Sequence, residues 1–132
     1  MSATIVRVSD VMKKKFDMVD GMATVAEALE TMKHIETKTL IVNKRHDDDV
    51  YGIVTLTGIA RSVLAADRAP ERVNIYEIMT KPALTTSADM DIRYCARLFD
   101  NFGLSRAPVI DHGEICGIVS LTDMVLKGML EK

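Results

Sequence analysis

The residues best equipped for chemistry lie in one stretch, Gly117-Ile118-Val119-Ser120-Leu121-Thr122-Asp123. Its apolar start reads as a buried strand, and Met124 to Leu130 reads as the beginning of a short helix. Thr122 or Asp123 would cap that helix, because a side-chain oxygen there can accept a free first-turn N–H. An anion could sit beside the same helix end, where unpaired N–H groups and the helix dipole both favour negative charge. The turn therefore joins two hydroxyls, an acceptor-only carboxylate and a phosphate-friendly helix end. Two readings follow, a plain helix cap and a ligand site. The second gains weight because the stretch has a partner earlier in the chain.

Other reactive side chains are isolated. Cys95 and Cys116 have no CxxC spacing and no neighbouring His, and they read as small buried residues rather than a disulfide or metal pair. His34, near the end of a predicted helix, reads as a C-terminal cap or an exposed polar residue. His112 sits at a turn. His46-Asp47-Asp48-Asp49 is a solvated hairpin turn, and no metal site is expected there. Lys13-Lys14-Lys15 reads as a solvated loop with phosphate attraction as the sharper alternative.

Seventeen basic against nineteen acidic residues give a formal charge of −2, which gives no support to a nucleic-acid or membrane-surface binder, normally marked by a basic excess. The 48% apolar content is enough for a real core, yet no window approaches the roughly 20 apolar residues of a membrane span. The start Met1-Ser2-Ala3-Thr4 lacks a signal-peptide layout, so a cytoplasmic address is expected.

The elements that must position the motif come in a repeated order. Ile5 to Met12 begins with alternating apolar residues and ends in a short turn or helix, with Ser9 as its cap. Phe16 to Val19 is extended, and Asp20-Gly21 is a turn. Val25, Ala28, Leu29, Met32 and Ile35 mark one helix face, opened by a Thr24–Glu27 capping box. Residues 39–42 and 50–55 read as strands, 57–66 as a helix, and 67–74 as a linker. The order then returns. Ile78-Met79 repeats Val11-Met12, while Ile92, Cys95, Ala96 and Phe99 repeat Val25, Ala28, Leu29 and Met32. Val109-Ile110 repeats Ile41-Val42, Gly117-Ile118-Val119 repeats Gly52-Ile53-Val54, and Leu121-Thr122 repeats Leu56-Thr57.

Each repeat is thus strand, helix, strand, strand, helix, in a stretch of about 60 residues that would be marginal alone. The fold class is α+β. Two pseudo-twofold-related β-α-β-β-α repeats, 5–66 and 75–130, would pack sheet to sheet and leave a cleft between them. The nine methionines, including Met12, Met18, Met22 and Met32, are read mostly as core filler.

This pattern resembles a tandem CBS-domain pair, or Bateman module, over roughly residues 5–130. The residues that carry it are Val11-Met12, Ile78-Met79-Thr80, Arg106-Ala107-Pro108-Val109-Ile110-Asp111 and Gly117 to Asp123. The second copy is similar to the nucleotide-binding repeats of AMP-activated protein kinase regulatory subunits. The resemblance implies an adenosine nucleotide in the cleft, with Asp123 on the ribose and Ser120 and Thr122 on ribose or phosphate. The base would lie against the segment containing Lys13, Phe16 and Met18. Thr37 and Lys38 would line the pocket, and Arg106 would reach phosphate. The amphipathic ends at Val63-Leu64 and Val125–Met129 would form a homodimer interface.

The chemistry agrees with that assignment. A carboxylate can accept from both the 2′ and 3′ hydroxyls of a ribose. A deoxyribose would leave it under-paired, at a cost of about 1–3 kcal/mol. Arg106 can fork onto a phosphate, where Lys38 acts as a point charge. The first copy departs from the pattern: Gly58 stands where the second has Asp123, and Leu40 where the second has Pro108. One good site is expected at Asp123. A second site around Thr55, Thr57, Thr80, Ala83 and Ser105 should be weak or empty.

The leading functional expectation is a regulatory adenine-nucleotide sensor (AMP, ADP or ATP), without catalysis, required cofactor or metal. It would act through a separate, unidentified partner protein, with no nucleic acid and no membrane among its partners. The alternative is a nucleotide-free dimerisation or scaffold module. An enzyme would need a nucleophile with a paired base, and the sequence offers none.

Overall fold

The computed structural model describes residues 4–130. It is a mixed α and β fold with two three-stranded sheets, as the repeats lead one to expect. In chain order the elements are α1 (Val8–Val11), β1 (Asp17–Val19), α2 (Val25–Thr31), β2 (Thr39–Val42), β3 (Gly52–Thr55) and α3 (Leu56–Ile59). There follow α4 (Ile75–Ile78), β4 (Thr86–Ser87), α5 (Ile92–Phe102), β5 (Arg106–Asp111), β6 (Glu114–Ser120) and α6 (Leu121–Gly128). Each sheet has one parallel and one antiparallel pairing. β2 lies between β1 and β3, and β5 between β4 and β6.

The compact units do not follow the repeat boundaries. One unit is Phe16–Ala83, and the other joins the chain up to Lys15 with the chain from Leu84 onward. The leading segment of each sequence repeat is thus built into the unit that holds the other repeat's sheet. The hydrogen bonds show this twice, with the same spacing. Val8 N–H donates to Met90 C=O at 2.8 Å and Ser9 N–H to Ala88 C=O at 3.0 Å, while Ile92 N–H donates to Val6 C=O at 2.9 Å. In the Phe16–Ala83 unit, Ile75 N–H donates to Ala23 C=O at 2.8 Å and Tyr76 N–H to Gly21 C=O at 2.9 Å, while Val25 N–H donates to Val73 C=O at 2.8 Å. Every one of these partners is shifted by 67 positions between the units.

The cores follow the same exchange. Val8 and Val11 are buried with Ile92, Cys95, Phe99, Val109, Val119 and Met124. Val73 and Ile75 are buried with Val25, Ala28, Leu40, Val42, Val54 and Val63. Val73, inside the stretch expected as a linker, is therefore a core residue, and Pro70–Arg72 forms a single 3₁₀ turn before it. Burying a side chain of this size contributes roughly 1.5–3 kcal/mol, so the exchanged segments are integral to both cores.

Local differences from the sequence expectation have visible causes. α2 keeps its capping box, with Thr24 N–H on Glu27 Oε1 at 2.8 Å and Glu27 N–H on Thr24 Oγ1 at 3.1 Å. It stops at Thr31 because the Asp17 carboxylate accepts Lys33 N–H at 2.9 Å and His34 N–H at 2.8 Å, drawing the chain off the helix. Ile35 consequently falls in a 3₁₀ turn, 67% exposed, rather than on the buried face, and His34 caps no helix carbonyl of α2. α1 opens at Arg7, whose N–H donates to Asp10 Oδ2 at 2.9 Å, so Ser9 lies inside the helix instead of capping it. α3 begins at Leu56 and passes into a π-helical turn over Ala60–Leu64. Met18 and Met22 are exposed, not core, whereas Met12 and Met32 pack against the two cores.

Candidate functional site

Strand β6 ends at Ser120, and α6 starts at the next residue. Ser120 is the cap: its Oγ accepts Asp123 N–H at 3.1 Å. The expected caps, Thr122 and Asp123, are instead in the first helical turn. This frees the Asp123 carboxylate from capping its own helix. It is 5% exposed as a residue, which demands partners for its charge.

Lys13 supplies one partner. Its Nζ lies 2.5 Å from Asp123 Oδ2. The backbone delivers it there, since Lys13 N–H donates to Ile118 C=O at 2.8 Å and Ile118 N–H returns to Lys13 C=O at 2.9 Å. Gly117 makes that approach possible: a Cβ there would lie 2.7 Å from both Lys13 O and Met12 Sδ. Lys127, one turn along α6, places its ammonium 3.9 Å from the other carboxylate oxygen. Arg106 opens β5 directly across from Ser120 in the strand register, at the same end of the sheet. One end of the β4-β5-β6 sheet thus gathers Lys13, Arg106, Ser120 and Asp123.

The remaining expected residues are placed differently. Thr122 is exposed and lines a shallow apolar groove with Leu121, Val125 and Leu126 on the outer side of α6. Phe16, Met18, Thr37 and Lys38 belong to the Phe16–Ala83 unit. Thr37 is buried, and its hydroxyl donates to His34 C=O at 2.8 Å and lies 3.2 Å from Thr39 C=O, so it is engaged locally. Lys38 is exposed in a left-handed conformation, φ 58°, with its carbonyl accepting Leu56 N–H at 3.0 Å.

The second set divides as well. Thr55, Thr57, Thr80 and Ala83 are in the Phe16–Ala83 unit, and Ser105 is in the other. Thr55 Oγ1 accepts Gly58 N–H at 2.9 Å, the counterpart of the Ser120 cap. Thr80 and Ile53 exchange two backbone hydrogen bonds at 2.9 Å, the counterpart of Lys13 and Ile118. A Cβ at Gly52 would meet Met79 Sδ at 3.1 Å and Thr80 O at 3.4 Å. The backbone frame is repeated, but Thr80 and Gly58 stand where the other unit has Lys13 and Asp123. A separate cavity of about 350 Å³, lined by Gly21, Met22, Val42, Tyr76, Met79 and Lys81, contains none of the expected second-site residues.

Two features escaped the sequence reading. Asp49 is not simply solvated: Lys81 Nζ lies 2.7 Å from its Oδ2, and Arg45 N–H donates to the same oxygen at 2.8 Å. The Lys81 hydrogen bond, then the Arg45 N–H, hold its carboxyl well below the usual carboxylate range. Lys127 was also missed, although i,i+4 spacing from Asp123 is a signal for it. The thiols have no activated character. Burial pushes Cys95 up to about 11, and burial raises Cys116 as well.

Comparison with known proteins places this geometry in a family. The CBS domain model matches twice, over residues 8–65 and 75–128. An uncharacterised protein of Methanopyrus kandleri is 28% identical over 113 residues, covering 83% of this chain and 57% of that protein. The chain therefore spans little more than half of that relative's length. Among solved structures, a hexameric CBS-CP12 protein from bloom-forming cyanobacteria has a TM-score of 0.88 at 37% identity, with coverage of 93% of this chain and 71% of that one. The CBS domain pair of protein MJ0100, in complex with 5′-methylthioadenosine and S-adenosyl-L-methionine, has a TM-score of 0.78 at 25% identity, covering 98% of this chain and all of that one.

Proposed function

Because the chain belongs to the CBS-domain family, we propose that it is a regulatory ligand-binding module whose ligand is an adenine nucleotide held through its ribose by Asp123. The observation that carries this reading is a carboxylate 5% exposed, released from helix capping by Ser120 and matched with cations rather than with backbone donors. Two vicinal hydroxyls are donors of the right number and spacing for its two oxygens. The adenosine-containing ligands of the MJ0100 pair support the adenosine part of that reading. Arg106, at the same end of the sheet, is the cation suited to a phosphate.

The module would work by population shift: a ligand that favours one conformation changes what a partner protein reads. Val125, Leu126 and Met129 leave an exposed apolar strip on α6, which supports a homodimer. Size-exclusion chromatography with light scattering reads that state directly.

A thermal-melt series with AMP, ADP, ATP, 5′-methylthioadenosine and S-adenosylmethionine tests the ligand assignment. At 100 times its dissociation constant, a ligand that binds only the folded protein adds about 2.7 kcal/mol. A shift with at least one of these ligands supports the assignment. No shift with any of them at millimolar concentration leaves the nucleotide-free scaffold as the better reading. Steady turnover of ATP would overturn the non-catalytic part.

A further inference from the structure

The geometry points to Lys13 as an internal occupant of the ligand carboxylate, one that selects a ribose carrying an anionic group over an uncharged or cationic one. This rests on the reading of Asp123 as the ribose acceptor. Lys13 is not a loosely tethered surface lysine. Its backbone is bonded on both sides to Ile118, its side chain is 28% exposed, and its ammonium is 2.5 Å from Asp123 Oδ2. The other carboxylate oxygen has Lys127 at 3.9 Å, beyond hydrogen-bond range. Lys13 thus makes the close contact on one oxygen, and a ligand hydroxyl reaches that oxygen only when Lys13 shares or yields it.

The two units make the case that the pair is a single device. Both hold the same backbone bridge, Lys13 with Ile118 and Thr80 with Ile53. Where Asp123 is replaced by Gly58, the lysine is replaced by Thr80 at the same bridge. The fold itself requires neither charge, since the bridge forms without them.

The consequence is selective. A ribose that takes Oδ2 leaves the Lys13 ammonium partly desolvated and short of a partner. A phosphate on the same ligand offers it a replacement, through charge-assisted hydrogen bonds that are shorter and stronger than neutral ones. An uncharged nucleoside offers nothing, and a sulfonium adds a like charge beside a cation. Lys14 and Lys15, both exposed, add to the field that draws an anion inward. The ligand class is therefore a phosphorylated ribonucleoside, with thioether and sulfonium nucleosides discriminated against.

Calorimetric titration of AMP, adenosine and 5′-methylthioadenosine into the wild type, Lys13→Met, Lys13→Gln and Lys13→Arg decides the matter. The wild type should prefer AMP over adenosine by about 100-fold or more. In Lys13→Met and Lys13→Gln that ratio should fall below about 10-fold, with AMP weakened and adenosine strengthened, and Lys13→Arg should restore it. An unchanged ratio, or parallel loss of both ligands, overturns the role of Lys13 while leaving the Asp123 site intact. Absence of binding by any ribonucleoside to wild type and variants alike overturns the site and this inference together. The wild type gives an independent readout: the ¹⁵N resonance of the Lys13 ammonium should move on saturation with AMP and stay nearly unchanged with excess adenosine. No movement with bound AMP contradicts the exchange.

Discussion

The two compact units carry one backbone plan with two different charge patterns. In each, a four-residue helix ends at a methionine, Met12 or Met79, and the next residue bridges to the isoleucine that follows the strand glycine, Ile118 or Ile53. In each, the last strand residue, Ser120 or Thr55, caps the following helix by accepting the N–H three residues on. The first difference is in what the frame presents. One unit presents Lys13 against Asp123, and the other presents Thr80 and Gly58. The helices differ accordingly. α6 runs eight residues with Asp123 in its first turn, whereas α3 holds four α-helical residues before its π turn. Gly58 lies in that short helix, where glycine is a poor helix former. The comparison separates the backbone frame that both copies share from the charged pair that one copy alone carries.

The largest expected effect comes from removing the distinguishing acid. Asp123→Ala should abolish ligand-induced stabilisation in a thermal melt. It should also lower the stability of the ligand-free protein by about 1–3 kcal/mol, because Lys13 loses its charged partner. Retained ligand stabilisation in this variant would break the comparison at its centre.

Transplanting the charges is the next largest effect. Thr80→Lys with Gly58→Asp should add a second ligand equivalent per chain in calorimetry, weaker than the first by about tenfold, since the uncharged Thr39, paired with Thr55, stands where Arg106 is paired with Ser120. A Cβ at Gly58 would sit 3.0 Å from Thr55 Oγ1, so a small adjustment of that hydroxyl accompanies the change. A doubly substituted protein that folds and still binds one equivalent would show that the frame alone does not make the site.

A smaller contrast lies in the glycines. Gly117→Ala forces a Cβ against Lys13 O and Met12 Sδ and should cost about 1–3 kcal/mol in urea unfolding. Gly52→Ala meets the movable Met79 Sδ at 3.1 Å, Val42 Cβ at 3.3 Å and Thr80 O at 3.4 Å, all farther than the 2.7 Å contacts at Gly117, and should cost less than Gly117→Ala. Equal costs would mean that the two exchanged segments are held with equal closeness.

The smallest effect is on the acid side of the stability profile. Arg93 holds the Asp91 carboxyl down to about 2, and Lys81 holds Asp49 well below the ordinary range. Both folded values lie below the unfolded ones, so their stabilisation is complete above about pH 4 and is lost as pH falls through the folded values. Asp91→Asn and Asp49→Asn should each flatten the decline in melting temperature between about pH 4 and pH 2. Unchanged slopes would remove these pairs from the account of either unit.

Much of this was legible in the sequence because it depends on near neighbours. The Thr24–Glu27 capping box, the β2 strand and the twin glycine-strand-hydroxyl motifs are local patterns, and they appear at the expected residues. What depends on distant chain was not legible. Nothing near Val8 or Val73 shows which sheet it packs with, and Lys13 meets Asp123 across 110 positions. α2 stops early because of Asp17, a residue outside its own pattern. Helix capping shifted to Ser120 because β6 gives way to α6 without an intervening turn.

The central claim is that the Asp123 carboxylate grips a ribose diol, and paired titration of AMP and 2′-deoxy-AMP tests it most directly. In the wild type the deoxy ligand should bind about 5- to 150-fold more weakly, the equivalent of about 1–3 kcal/mol. In Asp123→Asn that gap should close to within about twofold, with both affinities reduced. Equal affinities in the wild type, or a gap that survives the substitution, would contradict the assignment.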